Sequence, residues 1–263
     1  MRGVKSALAA SSKKNKSAAF EMPVANILLE SSHYSFNFFV EQFTKKWQAH
    51  VNPYREENRL GIIVDGRVIG CVFDPKPLAE SAMVQDARDN VLWPDAEACV
   101  LRHKAHLKVA MTREGDPIAA HVALTKVMYC LLRQKNVLGA YLKPGLFEPE
   151  YYIKCAENLS VKRLPTELWV HINQIGFDRD DGYSFFTSGM NKFGKNEFEI
   201  IETKTNFIDA YYTLKELVRY AIENDVVFKD GDTIKAEGGE GVKVSVSISK
   251  GVMMKGQTIK INL

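Results

Sequence analysis

Apolar positions along the chain switch repeatedly between a period of two and a period of 3.6, the signature of mixed strands and amphipathic helices. Ala25 to Leu29 reads as a strand, and Phe36, Phe39, Val40, Phe43 and Trp47 recur at helical spacing through Ser35 to Gln48. Leu60 to Val64 and Arg67 to Phe73 flank Asp65-Gly66, a dipeptide suited to two positive-φ turn residues, and so predict a hairpin. Pro75 and Pro77 close that hairpin and open a helix to about Asp89, and Cys99 to Met111 is expected as one long strand. Asp116 as N-cap and Pro117 at the first helical position start a helix reaching about Lys135, after which Leu138 to Leu142 returns as a strand. This order matches a ferredoxin-like split β-α-β unit carrying a helical insert.

Pro144 to Pro165 holds three prolines and a short helical stretch, Tyr151 to Asn158, and reads as a connection. Beyond it strands are expected at Glu167 to Gly176, Tyr183 to Gly189, Glu197 to Thr203, Thr233 to Glu237, Lys243 to Ser249 and Thr258 to Asn262. They surround one long helix, Phe207 to Asn224, with Asn206 as N-cap and an apolar stripe through Tyr211, Leu214, Val218 and Ile222. The fold class predicted is α+β, two ferredoxin-like-type halves with mainly antiparallel sheets and packed helices. The divisions are a disordered basic tail at 1–20, an N-terminal half at 21–143, the Pro-rich connection at 144–165 and a C-terminal half at 166–263.

Charge changes the picture through its placement. The formal charge is +3, yet Arg2, Lys5, Lys13, Lys14 and Lys16 precede the first acid, Glu21, and without those five the remaining 30 basic residues face 32 acidic ones. A nucleic-acid binder needs a basic surplus on its folded body, where counterion release acts, so nucleic acid is not an expected partner. Apolar runs such as Val127 to Leu132 fall far short of the roughly 20 residues a membrane span requires. The acid-free first twenty residues resemble a transit peptide in composition, but a disordered tail is the simpler reading.

Cys71, Cys99, Cys130 and Cys155 form no Cys-x-x-Cys pair, so metal knuckles and redox dithiols are not expected and reduced, cytoplasmic cysteines are. His103 and His106, with His121 as a possible third ligand, invite a metal reading. On one strand, residues three apart point to opposite faces, so His103 is expected as a hydrogen-bonded core residue and His106 as an exposed one between lysines, with no metal and no cofactor.

Three further stretches come near chemical motifs. Gly189 to Asn196 has the spacing of a phosphate-binding loop, but Asn196 stands where a hydroxyl should meet magnesium, and a strand rather than a helix follows. Asp178 to Gly182 begins like a calcium loop, yet Gly182 falls at position five and Gly189 at twelve, so an acidic turn is expected. Glu197 and Glu199 share a strand face and are expected on a solvated edge.

Thr187 to Ile200 resembles an uncharacterised bacterial domain-of-unknown-function family whose signature is Gly-[Met/Leu]-x-x-Phe-Gly-x-x-Glu-[Phe/Leu]-Glu-[Ile/Val]. Further matches follow at His103-Lys104-Ala105-His106, Ala140-Tyr141, Leu164-Pro165 with Trp169-Val170, and Asp230-Gly231-Asp232-Thr233, covering about Ala25 to Ile261. The Gly-x-x-x-Phe-Gly-x-x-Glu piece is also similar to suppressor-of-fused-like binding domains. The resemblance implies that Gly189, Phe193, Gly194 and Glu197 form a structural signature, that the protein is bacterial and cytoplasmic, and that it acts on the accessory or immunity side of inter-bacterial conflict. Within the segment, Phe193 is expected to plug inward while Asn191, Lys192 and Lys195 face outward as a partner surface. The expected function is therefore cofactor-free binding of a protein partner. The alternative is a hydrolase using His106 or His121 with a carboxylate in a cleft between the halves.

Overall fold

The structure, a computed structural model, describes residues 24–49, 53–79, 81–90, 92–111, 115–143, 145–161, 163–176, 182–235 and 243–263. The predicted tail and the acidic run Asp178 to Asp181 lie outside these residues, so neither reading is addressed by it.

Strands β1 (Val24–Leu29), β2 (Tyr54–Glu56), β3 (Arg59–Val64), β4 (Arg67–Asp74), β5 (Ala105–Met111), β6 (Val137–Leu142) and β7 (Gly145–Phe147) form one sheet in the order β2-β3-β4-β5-β1-β6-β7. Its neighbours are all antiparallel. Asp65 and Gly66 adopt φ of 49° and 78° and give β3–β4 the turn its twist demands. Helices α1 (Phe36–Trp47) and α4 (Pro117–Leu131) cover one face, where Ala25, Ile27 and Leu29 of β1 meet Phe39, Phe43 and Leu124. Ser35 and Asp116 cap these helices through their side-chain oxygens. The opposite face is partly covered by α2 (Ser81–Arg88) and α3 (Ala96–Arg102), against which Leu28, Leu138 and Tyr141 pack.

The predicted strand from Cys99 to Met111 is therefore a helix followed by a strand. Ala96-Glu97-Ala98 favours helix, and His103 ends it with extended backbone, φ −64° and ψ 142°. The segment predicted as a connection is also built in: β7 joins the first sheet, and α5 (Pro149–Ala156) packs on α4 and β6.

The second sheet, in the order β11-β12-β13-β10-β9-β8, comprises β8 (His171–Ile175), β9 (Tyr183–Ser188), β10 (Phe198–Thr203), β11 (Thr233–Lys235), β12 (Lys243–Lys250) and β13 (Gln257–Asn262). Two antiparallel triplets join through the parallel pair β10–β13, and α6 (Phe207–Glu223) covers one face with Leu214, Val218 and Ile222. The α+β class with mainly antiparallel sheets is what the structure has. The second half does not repeat the first: among its described residues it has one α-helix and a parallel central pair, where a split β-α-β unit has two helices and antiparallel neighbours. One apolar cluster runs through both halves, and Trp169 Nε1 donates to Thr125 Oγ1 of α4 at 2.9 Å inside it.

Candidate functional site

The signature segment leaves β9 at Gly189, forms one 3-10 turn over Met190–Phe193 and re-enters at β10. Gly189 has φ 125°, and a Cβ there would lie 2.9 Å from the Trp169 carbonyl oxygen, so no other residue fits without backbone movement. Glu197 turns back into this loop. Its Oε1 accepts from the amides of Gly189 (2.9 Å) and Asn191 (3.3 Å), and its Oε2 from the Met190 amide (3.2 Å) and the Thr187 hydroxyl (2.7 Å). One carboxylate thereby satisfies three amides that the short turn leaves without backbone partners. Phe193 is buried between Trp169 and His121, with ring centroids 5.9 and 4.8 Å away. Gly194 closes the turn at φ 69°.

Of the three residues expected to face a partner, Asn191 is exposed and Lys192 half-buried. Lys195 is a correction: its side chain folds under the C-terminal end of α6, where Nζ donates to Asp225 Oδ1 and to the Val226 carbonyl, both at 2.9 Å, and only 6% of it is exposed. It anchors the turn and is not available to a partner.

Glu197 and Glu199 are likewise not on a solvated edge, because β10 is central in its sheet. Glu199 is fully buried, accepting from the amides of Val252, Met253 and Met254 at 3.0, 2.9 and 2.8 Å, from Thr258 Oγ1 at 3.1 Å and from Lys260 Nζ. Burial alone raises its pKa, but Lys260 and the three amides outweigh that and hold it at about 2. The two carboxylates fasten two different loops.

A cleft lies elsewhere, between the halves. A cavity of about 460 Å³ is walled by the end of α2 and Trp93 on one side, by Phe147 and Tyr151 below, and by all of β8 on the other. Its carboxylates are Asp86, Asp89, Glu148 and Glu167, and its cations are Arg88 and Lys215. Lys215 sits 3.6 Å from Glu167, and Tyr141 donates to Asp86 at 2.8 Å. Strand β8 ends its sheet: among the described residues it pairs with β9 alone, and the side of its backbone turned away from β9 has no ladder partner there. Gln174 Oε1 there is buried and accepts no hydrogen bond.

Neither histidine assigned to a hydrolase lines this cleft. The His106 ring is buried, its Nδ1 2.8 Å from the Lys76 carbonyl, because the irregular segment that leaves β4 passes over it. The expectation of an exposed His106 fails for that reason. His103 accepts from the Leu78 amide at 2.8 Å and donates from Nδ1 to the Val100 carbonyl, a satisfied interior histidine. His121 packs among aromatic rings. The histidine that does line the cleft is His171, which the sequence reading passed over, and among the described residues no hydrogen bond joins its ring to a carboxylate. From the sequence it was legible only as a residue inside the strand expected over Glu167 to Gly176. Among the described residues no group of three His, Cys, Asp or Glu could hold a metal, and no helix is long and apolar enough to cross a membrane. Burial pushes the Cys71 and Cys130 thiols up to about 12, so neither is a nucleophile.

Residues 186–262 match the family model described as domain of unknown function (DUF4261). No curated protein and no solved structure matches the chain. The DUF4261 match takes in both carboxylate-held loops and α6, and leaves outside it β8 and the first-half wall of the cleft. It is shorter than the span from about Ala25 to Ile261 over which the resemblance was drawn.

His121 and His171 make acid sensitivity an expected property. Burial, with Lys192 nearby, lowers the pKa of His121 and of His171 to about 4. A folded pKa below the unfolded value of about 6.5 means that the unfolded chain takes up protons first as pH falls, so stability declines from about pH 6.5 toward 4. The unfolding free energy should fall by about 1 kcal/mol per pH unit per histidine between pH 6 and 5. His121→Gln should be less stable at pH 7 but show a shallower slope; denaturant melts at pH 5, 6 and 7 check this, and an unchanged slope contradicts it.

Proposed function

We propose that the protein works without a cofactor, as a module that binds another protein along β8, in the cleft between its halves. One observation carries the reading: an edge strand with a free backbone side forms a whole wall of a concave, aromatic-lined cleft. An extended segment of a partner can add to such an edge by main-chain hydrogen bonds while its alternate side chains enter the cavity. Lys192 is close enough to His171, the first residue of β8, to act on its charge, whereas Lys195 does not contribute. The absence of any bond between His171 and a carboxylate among the described residues gives hydrolysis no assembled acid–base pair. Bacterial origin, cytoplasmic location and an accessory or immunity role are supported by the sequence resemblance and by four free thiols.

The test uses the exposed rims of the cleft. Leu92 and Ile175 are 57% and 48% exposed, so Leu92→Arg with Ile175→Arg should leave the melting temperature unchanged while narrowing the entrance. A partner captured by the wild-type chain from native lysate, then purified, should bind the double variant at least about tenfold more weakly. Equal binding by both proteins removes the cleft from the reading.

A further inference from the structure

The charges around the cleft do not balance. Four carboxylates and two cations line it, and both cations are already engaged: Arg88 Nε donates to Glu97 of α3 at 2.7 Å, and Lys215 sits 3.6 Å from Glu167. Lys192 does not line the cavity, and His171 adds no positive charge at neutral pH, since burial lowers its pKa to about 4. Two of the carboxylates meet no cation among the described residues. Asp89 accepts only from the neutral Gln85 side-chain amide, at 2.9 and 3.1 Å, and Glu148 occupies the N-cap position of α5 without its side chain capping that helix. Both residues are exposed.

The placement of Asp89 runs against local stability. It directly follows the last residue of α2, where the helix macrodipole presents its negative end and disfavours an anion. Asp86, in the last turn of the same helix, puts a second carboxylate there. The Asn90 side-chain amide donates to the Leu146 carbonyl at 2.7 Å and ties this end of α2 to β7, two residues before Glu148. A helix C-terminus, Asp89 and Glu148 thus all turn negative potential toward one cavity. The rest of the wall suits a flat cation. Phe147 and Tyr151 line it with rings parallel to within 2° and centroids 6.4 Å apart, and Trp93 stands opposite β8. A guanidinium stacks on aromatic faces while its N–H fork meets carboxylates, a combination that a point-like ammonium does not offer.

We infer that the cleft receives an arginine side chain of the bound segment, its guanidinium set at the C-terminal end of α2 against Asp89 and Glu148. The inference rests on the reading of the cleft as the binding surface and names the chemistry of what enters it. Residues of an added strand alternate between its two sides, so the arginine enters while its neighbours point away and the main chain runs along β8. Charge complementarity then selects basic segments and turns acidic ones away.

The test titrates the full chain calorimetrically, at about 50 mM salt so that screening stays weak, with the acetylated and amidated pentapeptide Val-Thr-Arg-Thr-Val and with counterparts carrying citrulline or glutamate at the centre. Citrulline keeps the shape and loses the charge. It should bind about tenfold more weakly than arginine, and glutamate more weakly still. Asp89→Asn combined with Glu148→Gln should weaken the arginine peptide about tenfold and leave the melting temperature unchanged or slightly raised, because the helix end loses an unfavourable charge. Glu41→Gln, on an exposed position of α1 outside the cleft, should bind like wild type. Equal binding of the arginine and citrulline peptides overturns the inference, as does an arginine peptide that fails to bind by about 10 mM or binds the double variant undiminished. Methylating the peptide's backbone amides separates this inference from pairing along β8. An arginine preference that survives methylation supports the cation site and removes the pairing; binding that needs free amides but ignores the arginine keeps the pairing and overturns the cation site.

Discussion

Glu197→Ala is expected to destabilise the protein by about 3 to 5 kcal/mol, because it orphans three amides and a hydroxyl that one carboxylate now satisfies inside the fold. Glu197→Gln should cost less, about 2 kcal/mol. Its single carbonyl oxygen keeps one pair of donors, while its amide group turns toward the other pair. The loss should be local as well as global. Phe193 sits at the end of the turn that Glu197 holds and stacks on Trp169 at 27°, so loosening the turn opens the Trp169 ring to water. Denaturant melts followed by tryptophan emission check both effects. A red-shifted native spectrum with a lowered midpoint is the expected result, and a Glu197→Ala protein within 1 kcal/mol of wild type contradicts the account.

This role explains the spacing of the signature in physical terms. The first glycine passes beneath the Trp169 carbonyl, the phenylalanine plugs the core, the second glycine reverses the chain, and the glutamate three residues later, just before β10, reaches back to the amides. The likeness to a phosphate-binding loop has the same origin. Such a loop gathers backbone amides around an anion, and here the chain supplies its own anion, Glu197, from the residue just before β10.

What the sequence disclosed was what local chemistry decides. Asp65-Gly66 and Asp116-Pro117 each carry their structural instruction within a few residues, and both hold in the structure. The helix at Ala96–Arg102 was misread because Cys99, Val100 and Leu101 are as apolar as the strand that begins at Ala105, and a seven-residue helix shows too few turns for a 3.6 period to stand out. Strand order was beyond reach: β10 and β13 pair in parallel across α6 and a hairpin, a contact that no local pattern announces. For the same reason Glu197 and Glu199 read as a solvated edge. Two acids at alternate strand positions have that meaning unless distant loops cover them, and the loop that covers Glu199 lies more than fifty residues away. The cleft suffered likewise, since its walls come from α2, α5 and β8, and His171 carries no motif of its own.

Glu199 separates the value of a charge pair from the value of the groups it satisfies. Glu199→Ala should cost about 3 to 5 kcal/mol, since it leaves the Lys260 ammonium largely buried and strands the amides of the 252–254 loop. Lys260→Met should cost less, about 1 to 2 kcal/mol, because the carboxylate keeps four neutral donors and a methionine of similar length fills the space. Acid should act on the same group. Its folded pKa of about 2 lies below the unfolded value of about 4.3, so its contribution is fully present above that value and disappears as pH falls toward 2. Between pH 4 and 2 the wild-type protein should therefore lose stability faster than Glu199→Gln, which has no proton to gain there. Urea melts of the three variants at pH 7, repeated for wild type and Glu199→Gln at pH 4 and 3, decide the matter. Equal costs for Glu199→Ala and Lys260→Met would assign the stabilisation to the ion pair itself, whereas the asymmetry expected here assigns it to the loop of amides that the carboxylate holds closed.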